Sequence, residues 1–189
     1  SVSVQGDSRD RVSWDFGSSH AQGIADNGWS GDANADLILK PLVNLRVSFG
    51  PYYSRNVEPK QYVTTVTDAT APQFGGMRNV FARLDQHSLS MNTRINATFT
   101  PNLTLELFAQ PFLASGRYTS FKEFAQPRSR SMNFFGRDNG STVITNTAPD
   151  GTVTYTVDPD GAGPASPFTF GNPDFNLRSM RGTGVLRWE

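Results

Sequence analysis

The sequence predicts an all-β protein, built as an antiparallel meander of long strands. Helical signals are nearly absent, because no stretch combines apolar residues at three-and-four spacing over three turns with an N-cap residue in front. Residues 94–108, RINATFTPNLTLELF, instead alternate polar and apolar side chains up to a Thr-Pro-Asn turn, and alternate again after it. Such alternation places a different environment on each face of one hairpin.

The predicted strands follow from runs of alternating or β-branched residues bounded by turn residues. Several of them are longer than the five or six residues that are usual in globular sheets. A small hairpin is expected near 141–158, folded about the Pro-Asp-Gly at 149–151. The long strands are expected at residues 10–24, 29–40, 44–66, 78–99, 102–118 and 177–189.

Two tight connections share one design. Residues 40–44, KPLVN, and residues 100–102, TPN, both contain proline and both lead through Asn-Leu into an alternating run. Proline presets the turn dihedral, and asparagine tolerates the left-handed conformation that a short hairpin turn requires. Pro51 and Pro111 are expected to mark bulges or strand ends, because a proline in an interior strand gives up a ladder hydrogen bond.

The other connections, around residues 67–77 and 119–176, are longer and rich in Gly, Pro, Asp, Asn and Thr. If residues 25–28 also form a turn, long and tight connections alternate along the chain. Short turns at one end of the strands and long loops at the other are typical of an outer-membrane β-barrel, in which the long loops face the outside. We therefore expect a single all-β barrel fragment over 1–189, with residues 119–176 as a long extracellular loop region. A soluble meander can show the same asymmetry by chance.

The two faces of the predicted strands differ in chemistry. Pairing Phe99 with Leu103 across the second tight turn sets Asn96 opposite Glu106. The apolar runs cover roughly ten residues per strand, near the 9 to 11 or so that cross a bilayer at a tilt. The aromatic side chains of 52, 53, 108, 112, 118 and 121 form either an interfacial girdle or ordinary strand packing. The residues expected to face the barrel lumen are Asp36, Arg46, Arg94, Asn96, Glu106 and Gln110, and those expected to face lipid are Leu89, Met91, Ile95, Leu103, Leu105 and Leu107.

Composition excludes several classes of function. The formal net charge is 0, with 17 basic and 17 acidic residues, so we expect no nucleic-acid partner. The chain has no cysteine, which excludes a disulfide framework, a thiolate metal site and a catalytic thiol. No apolar run is long enough for a membrane-spanning helix, and SVSVQGDSRD lacks the features of a signal peptide.

No motif for catalysis or for a cofactor is present. The two histidines, His20 and His87, lie far apart in the sequence and belong to no recognisable motif, so a structural role is expected for each. Glu106 could pair with another carboxylate as in a glycosidase, but carboxylates on neighbouring strands are common. Residues 158–161, DPDG, resemble the start of a calcium loop, but Thr169 stands where its bidentate glutamate belongs. We expect no catalytic residue, no metal site and no cofactor.

Three stretches resemble a known family. They are YVTTV at 62–66, the block at 80–129 that contains FTPNLTLELFAQPF, and the block at 156–189 that ends in FNLRSMRGTGVLRWE. Together they are similar to the C-terminal barrel domain, of unknown function, of large bacterial envelope proteins that carry a family-nine-type carbohydrate-binding module near the N-terminus. The resemblance covers about two-thirds of the chain, and the first sixty or so residues match less distinctly.

The resemblance implies a location in the bacterial outer membrane and a chain that is an internal fragment. Its partners would be outer-membrane lipid, the remainder of its own barrel and, through the missing module, glycan. About six strands are fewer than the eight of the smallest natural barrels, so two edges would be unpaired. The expected function is a non-catalytic anchor or conduit linked to glycan binding or uptake, with the activity of the full-length parent left open. The alternative is a soluble, secreted β-sheet module of a carbohydrate-binding or glycan-hydrolysing protein.

Overall fold

The computed structural model describes residues 1–7, 10–24 and 27–189, and nearly all of its regular structure is β. A single 3-10 turn, Pro72–Phe74, is the one helical element in this part of the chain. The strands are β1 Val2–Gln5, β2 Val12–Gln22, β3 Trp29–Leu42, β4 Leu45–Thr67, β5 Met77–Thr100, β6 Leu103–Phe124, β7 Met132–Phe134, β8 Thr142–Thr147, β9 Val153–Asp158, β10 Phe168–Gly171 and β11 Phe175–Trp188.

All six predicted long strands are present within a few residues of their expected bounds, apart from β6, which continues to Phe124. The predicted small hairpin is β8 and β9, which turn at residues 148–152. The alternating pattern did not predict β1, β7 and β10. These strands have only three or four residues each, too few for an alternation to stand out from its surroundings.

The main sheet is an antiparallel meander, as predicted. Its strand order is β1-β2-β3-β4-β5-β6-β11, and β7 pairs with the end of β6. The last strand, β11, pairs with β6 from Phe175 opposite Gly116 to Trp188 opposite Leu103. Among the described residues no pairing joins β1 to β11, so this sheet is not closed. A separate three-stranded sheet has the order β10-β9-β8.

Pro51 and Pro111 do not mark strand ends, and the β3–β4 and β6–β11 pairings show no register shift at either proline. Pro111 lies inside β6 directly opposite Met180, and the register of β6 with β11 does not shift there. Pro51 lies inside β4, whose pairing with β3 keeps one register on both sides of it. One lost hydrogen bond costs less than breaking a ladder whose other members stay paired. The shift in the β3–β4 register falls between Leu39 and Leu42 instead.

Both connections are tight, as expected, and each turn has two residues, 43–44 and 101–102, but the role predicted for their asparagines was wrong. Positive φ at described residues other than glycine is confined to Asn27, Ser120, Arg128 and Asn139. Asn44 acts through its side chain, whose Nδ2 donates to the carbonyl oxygen of Thr98 at 2.8 Å. The Thr98 amide in turn donates to the Asn44 carbonyl oxygen at 2.9 Å.

The chain divides into two compact units. The first unit contains residues 1–57, 86–116 and 175–189, and the second contains residues 58–85 and 117–174. Among the described residues of the first unit, only two apolar residues are buried, Val57 and Ala114. The first unit therefore has two sheet faces and almost no hydrophobic core.

The second unit, by contrast, has a core of large side chains. Val80, Ala82, Phe121, Phe135 and Val157 form its buried cluster. The Phe121 ring lies 4.7 Å from the ring of Tyr155 and 5.0 Å from that of Phe170. For Phe121, which is 6% exposed, the structure therefore supports ordinary packing and not a place in an aromatic girdle.

Candidate functional site

The even-numbered residues of β3, β4 and β5 in the first unit share one face of the sheet, which we call the polar face. A Cβ built on Gly50 would lie 2.8 Å from Asp36 Oδ1 and 3.7 Å from the Asn92 Cβ. Two hydroxyls on the same face, those of Ser54 and Ser88, are hydrogen bonded at 2.7 Å. These contacts join three neighbouring strands through polar side chains, since alternate residues of a strand point to the same side.

The polar face extends across the other strands of the unit. On β2 the Ser19 hydroxyl donates to Asp32 of β3. Toward the opposite edge the Arg94 guanidinium lies 5.3 Å from the centroid of the Phe108 ring. The Glu106 carboxylate is 3.9 Å from Nη1 of Arg187 on β11. Charged and hydrogen-bonding groups therefore follow one another from β2 to β11.

The structure brings the predicted lumen residues to this face. Arg46 and Asn96 line the same cavity, and Asp36 lies beside Gly50. Gln110 is directly opposite Arg181 of β11. The partners that sequence reasoning missed are the arginines of β11, because their pairing with β6 joins segments about 80 residues apart. The alternation of 177–189 was the available signal, but it does not specify a register.

A cavity lies at the tight-turn end of the polar face. It has a volume of about 450 Å³ and lies where the 43–44 turn meets the start of β2. Arg11, Lys40 and Arg46 contribute three cations to its lining and Asp10 one carboxylate. Three cations and one carboxylate give the lining an excess of positive charge. No nucleophile with a neighbouring base lies among its lining residues.

The opposite surface of the first unit, which we call the apolar face, carries the residues predicted to contact lipid. Leu89 is 43% exposed and Leu107 is 39% exposed. Met91, Ile95, Leu103 and Leu105 alternate in step with them and are half-buried between their neighbours. The register of β11 with β6 adds Met180, Leu186 and Trp188 to this face, and the register of β2 with β3 adds Val12, Trp14 and Phe16.

A second cavity, of about 330 Å³, lies on the apolar face. The Tyr53 hydroxyl and His87 Nδ1 are 2.7 Å apart at its wall. Leu89, Leu113 and the Arg178 side chain also line it. His20, the other histidine, packs against Trp29 with ring centroids 5.8 Å apart.

The second unit contains a buried charged network, the triad of Asp68, Arg78 and Glu123. Arg78 donates from Nε to Asp68 and from Nη1 to Glu123, both at 2.5 Å. Burial raises the pKa of Glu123, and the hydrogen bond and charge of Arg78 offset this only in part. Burial also opposes ionisation of Asp68, but hydrogen bonds from Thr70 and Arg78 outweigh it and lower the pKa of Asp68.

The DPDG segment that resembles a calcium loop forms a turn held by its own carboxylates. Asp158 Oδ1 accepts from the amides of Asp160 and Gly161, at 3.3 and 2.8 Å. Asp160 Oδ2 accepts from the Ala165 amide at 3.1 Å. Within the described ranges, no group of three or more His, Asp or Glu side chains is arranged to hold a metal ion.

No family model, no curated protein and no solved structure matches this chain. Among the described residues, no helix is long and apolar enough to cross a membrane. The two chemically distinct faces of the first unit are therefore the main evidence about function.

Proposed function

We propose that this chain is a segment of a bacterial outer-membrane β-barrel that acts as an anchor or conduit, without catalysis of its own. In this proposal the apolar face of the first unit contacts lipid and the polar face lines the lumen. The link to glycan binding or uptake rests on the sequence resemblance alone, through a module outside these residues.

One observation carries the proposal: the first unit exposes a continuous apolar face and has almost no core. Trp14 is 47% exposed, Met180 is 73% exposed and Leu186 is 66% exposed. A sheet in water normally covers such a face with a second layer of structure. Contiguous apolar patches above a few hundred Å² are rare on monomeric soluble proteins and mark interaction or membrane surfaces. Lipid contact would account for an apolar face that spans all the long strands.

The polar face also supports the proposal, because its chemistry is that of a lumen wall. Lumen walls of outer-membrane barrels are polar, and alternate residues of each strand face lumen and lipid in turn. Here Asp36, Arg94 and Glu106 lie on the face opposite to Leu89 and Leu107, and each has a neighbour on that face: Gly50, Phe108 and Arg187, respectively. Since open sheet edges are not stable in lipid, the proposal also requires that the free edges of β1 and β11 pair with further strands.

Substitutions at two adjacent residues test this assignment of faces. Leu105→Arg places a cation on the proposed lipid face and is expected to block membrane assembly, at a cost of about 2 to 4 kcal/mol near the bilayer centre. Glu106→Gln changes a lumen residue whose nearest cation is 3.9 Å away, and is expected to assemble normally. Leu105→Met is the matched apolar control. Assembly is measured as the membrane-integrated fraction after alkaline extraction, and equal tolerance of Leu105→Arg and Glu106→Gln refutes the proposal.

A further inference from the structure

The β-strand residues of the second unit also present two different faces. One face carries Val80, Ala82 and Phe121 and packs into the core. The opposite face carries three aromatic rings in line across β4, β5 and β6, which we call the aromatic row. The Phe81 ring lies 6.0 Å from Tyr62 and 5.1 Å from Phe124, edge to face in both cases. Tyr62 is 49% exposed, so the row is accessible from solvent at one end.

Three cations stand next to the aromatic row. Moving two residues along each strand in the same spatial direction leads from Tyr62 to Lys60, from Phe81 to Arg83 and from Phe124 to Lys122. Residues two apart share a face, and neighbouring antiparallel strands lie about 4.8 Å apart. Lys60, Arg83 and Lys122 therefore form a second row, the cation row, roughly 7 Å from the aromatic row.

The three cations of the row are partly or fully buried. Lys122 is only 5% exposed, and its Nζ lies 4.9 Å from the centroid of the Phe134 ring. Burial, followed by the charges of Arg83 and Lys60, lowers the pKa of Lys122, and Glu58 opposes this. Glu58 Oε1 accepts from the Lys60 backbone amide at 3.0 Å. Across the described residues, no carboxylate forms a salt bridge with any of the three cations.

From this geometry we infer that the cation row binds the phosphate group of a membrane amphiphile, whose apolar chain lies against the aromatic row. Buried cations in proteins are normally paired with an anion, and phosphate oxygens accept charge-assisted hydrogen bonds from Lys and Arg. The adjacent rings offer apolar contact to a hydrocarbon chain. A free phosphate ion has no such chain and gains nothing from the rings. The inference rests on the proposed membrane function, since it requires contact with lipid.

Calorimetric titration of the full chain in non-ionic detergent tests the inference. The probes are short-chain phosphatidic acid, phosphatidylcholine with the same chains, and inorganic phosphate. Phosphatidic acid is expected to bind saturably and at least about tenfold more tightly than the other two. Arg83→Gln is expected to weaken its binding by roughly tenfold or more, as loss of a charge-assisted hydrogen bond does. Arg83→Lys keeps the charge and is expected to retain most of the affinity.

The control variant is Arg130→Gln, which removes an exposed cation elsewhere in the second unit and is expected to change nothing. Unchanged phosphatidic acid binding by Arg83→Gln overturns the inference, and so does equally tight binding of inorganic phosphate, which would indicate a free-anion site. The membrane proposal itself is tested separately, by the membrane-integrated fraction of the Leu105→Arg variant after alkaline extraction. Arg83→Gln itself is expected to assemble as the unsubstituted chain does.

Discussion

At the scale of single residues, the chain places its charges in two different situations. The polar-face groups Arg94 and Glu106 are exposed, and their partners are a ring at 5.3 Å and a cation at 3.9 Å. Such contacts contribute little to stability, because water screens them. The triad of the second unit is mostly buried, with side-chain exposures of 11% to 12%, and its geometry is tight. Charge changes should therefore affect stability at the triad and solute interactions at the polar face.

The raised pKa of Glu123 gives a pH-dependent prediction. An acid whose pKa is raised by folding stabilises the fold below its unfolded-state pKa, and this contribution is lost as pH rises through the folded-state value. For Glu123 the loss begins near its ordinary value of 4.5. Glu123→Gln stays neutral throughout, so the stability of the unsubstituted chain relative to this variant should fall as pH rises above 4.5.

Hydrogen exchange of the second unit, followed by mass spectrometry between about pH 4 and 7, measures this effect. The two chains are compared at each pH, so that the intrinsic exchange rate cancels. Asp68 has a lowered pKa and contributes stability that is lost only at lower pH, and it is present in both chains. If the protection of the unsubstituted chain relative to Glu123→Gln stays constant or grows as pH rises, the raised pKa of Glu123 is contradicted.

At the scale of elements, alternation was sufficient to predict the long strands, and it failed where backbone detail decides the outcome. The six long strands and the 148–152 turn follow from local pattern, because side-chain period and turn chemistry are local properties. Ser120 in β6 has a φ of 56°, and nothing in its neighbours indicated a positive φ. The β11 register with β6 depends on residues far apart in sequence, so the Glu106–Arg187 contact could not be predicted.

The first tight turn gives a prediction at this scale. Asn44→Ala removes the donor to the Thr98 carbonyl, a bond exposed to solvent, and should destabilise the first unit by about 0.5 to 1 kcal/mol. Asn102→Ala is the matched control, since Asn102 holds the same position in the second turn and accepts from Glu189 through its backbone. Urea unfolding followed by tryptophan fluorescence reports on the first unit, where all three tryptophans lie. Equal midpoints for the two variants would show that the side-chain bond of Asn44 contributes nothing.

At the scale of the whole molecule, the sequence predicted an antiparallel meander that does not close, and the structure confirms both features. The assignment of side chains to faces followed from period-two alternation together with hairpin pairing. The cavities and the cation row could not be predicted, because they depend on which strands lie side by side and on small changes in register. Lipid, lumen and glycan remain proposals that stand on the exposed apolar face and on the sequence resemblance.

The central claim is that the apolar face contacts lipid, and fractionation of the full-length protein tests it most directly. Membranes are extracted with alkaline carbonate and then with detergent, and the detergent extract is compared on gels with and without heating. The membrane proposal predicts that the protein resists carbonate, enters detergent and shows the heat-dependent mobility of closed barrels. Recovery in the aqueous fraction without detergent, with one mobility at all temperatures, would contradict it and favour the secreted β-sheet module.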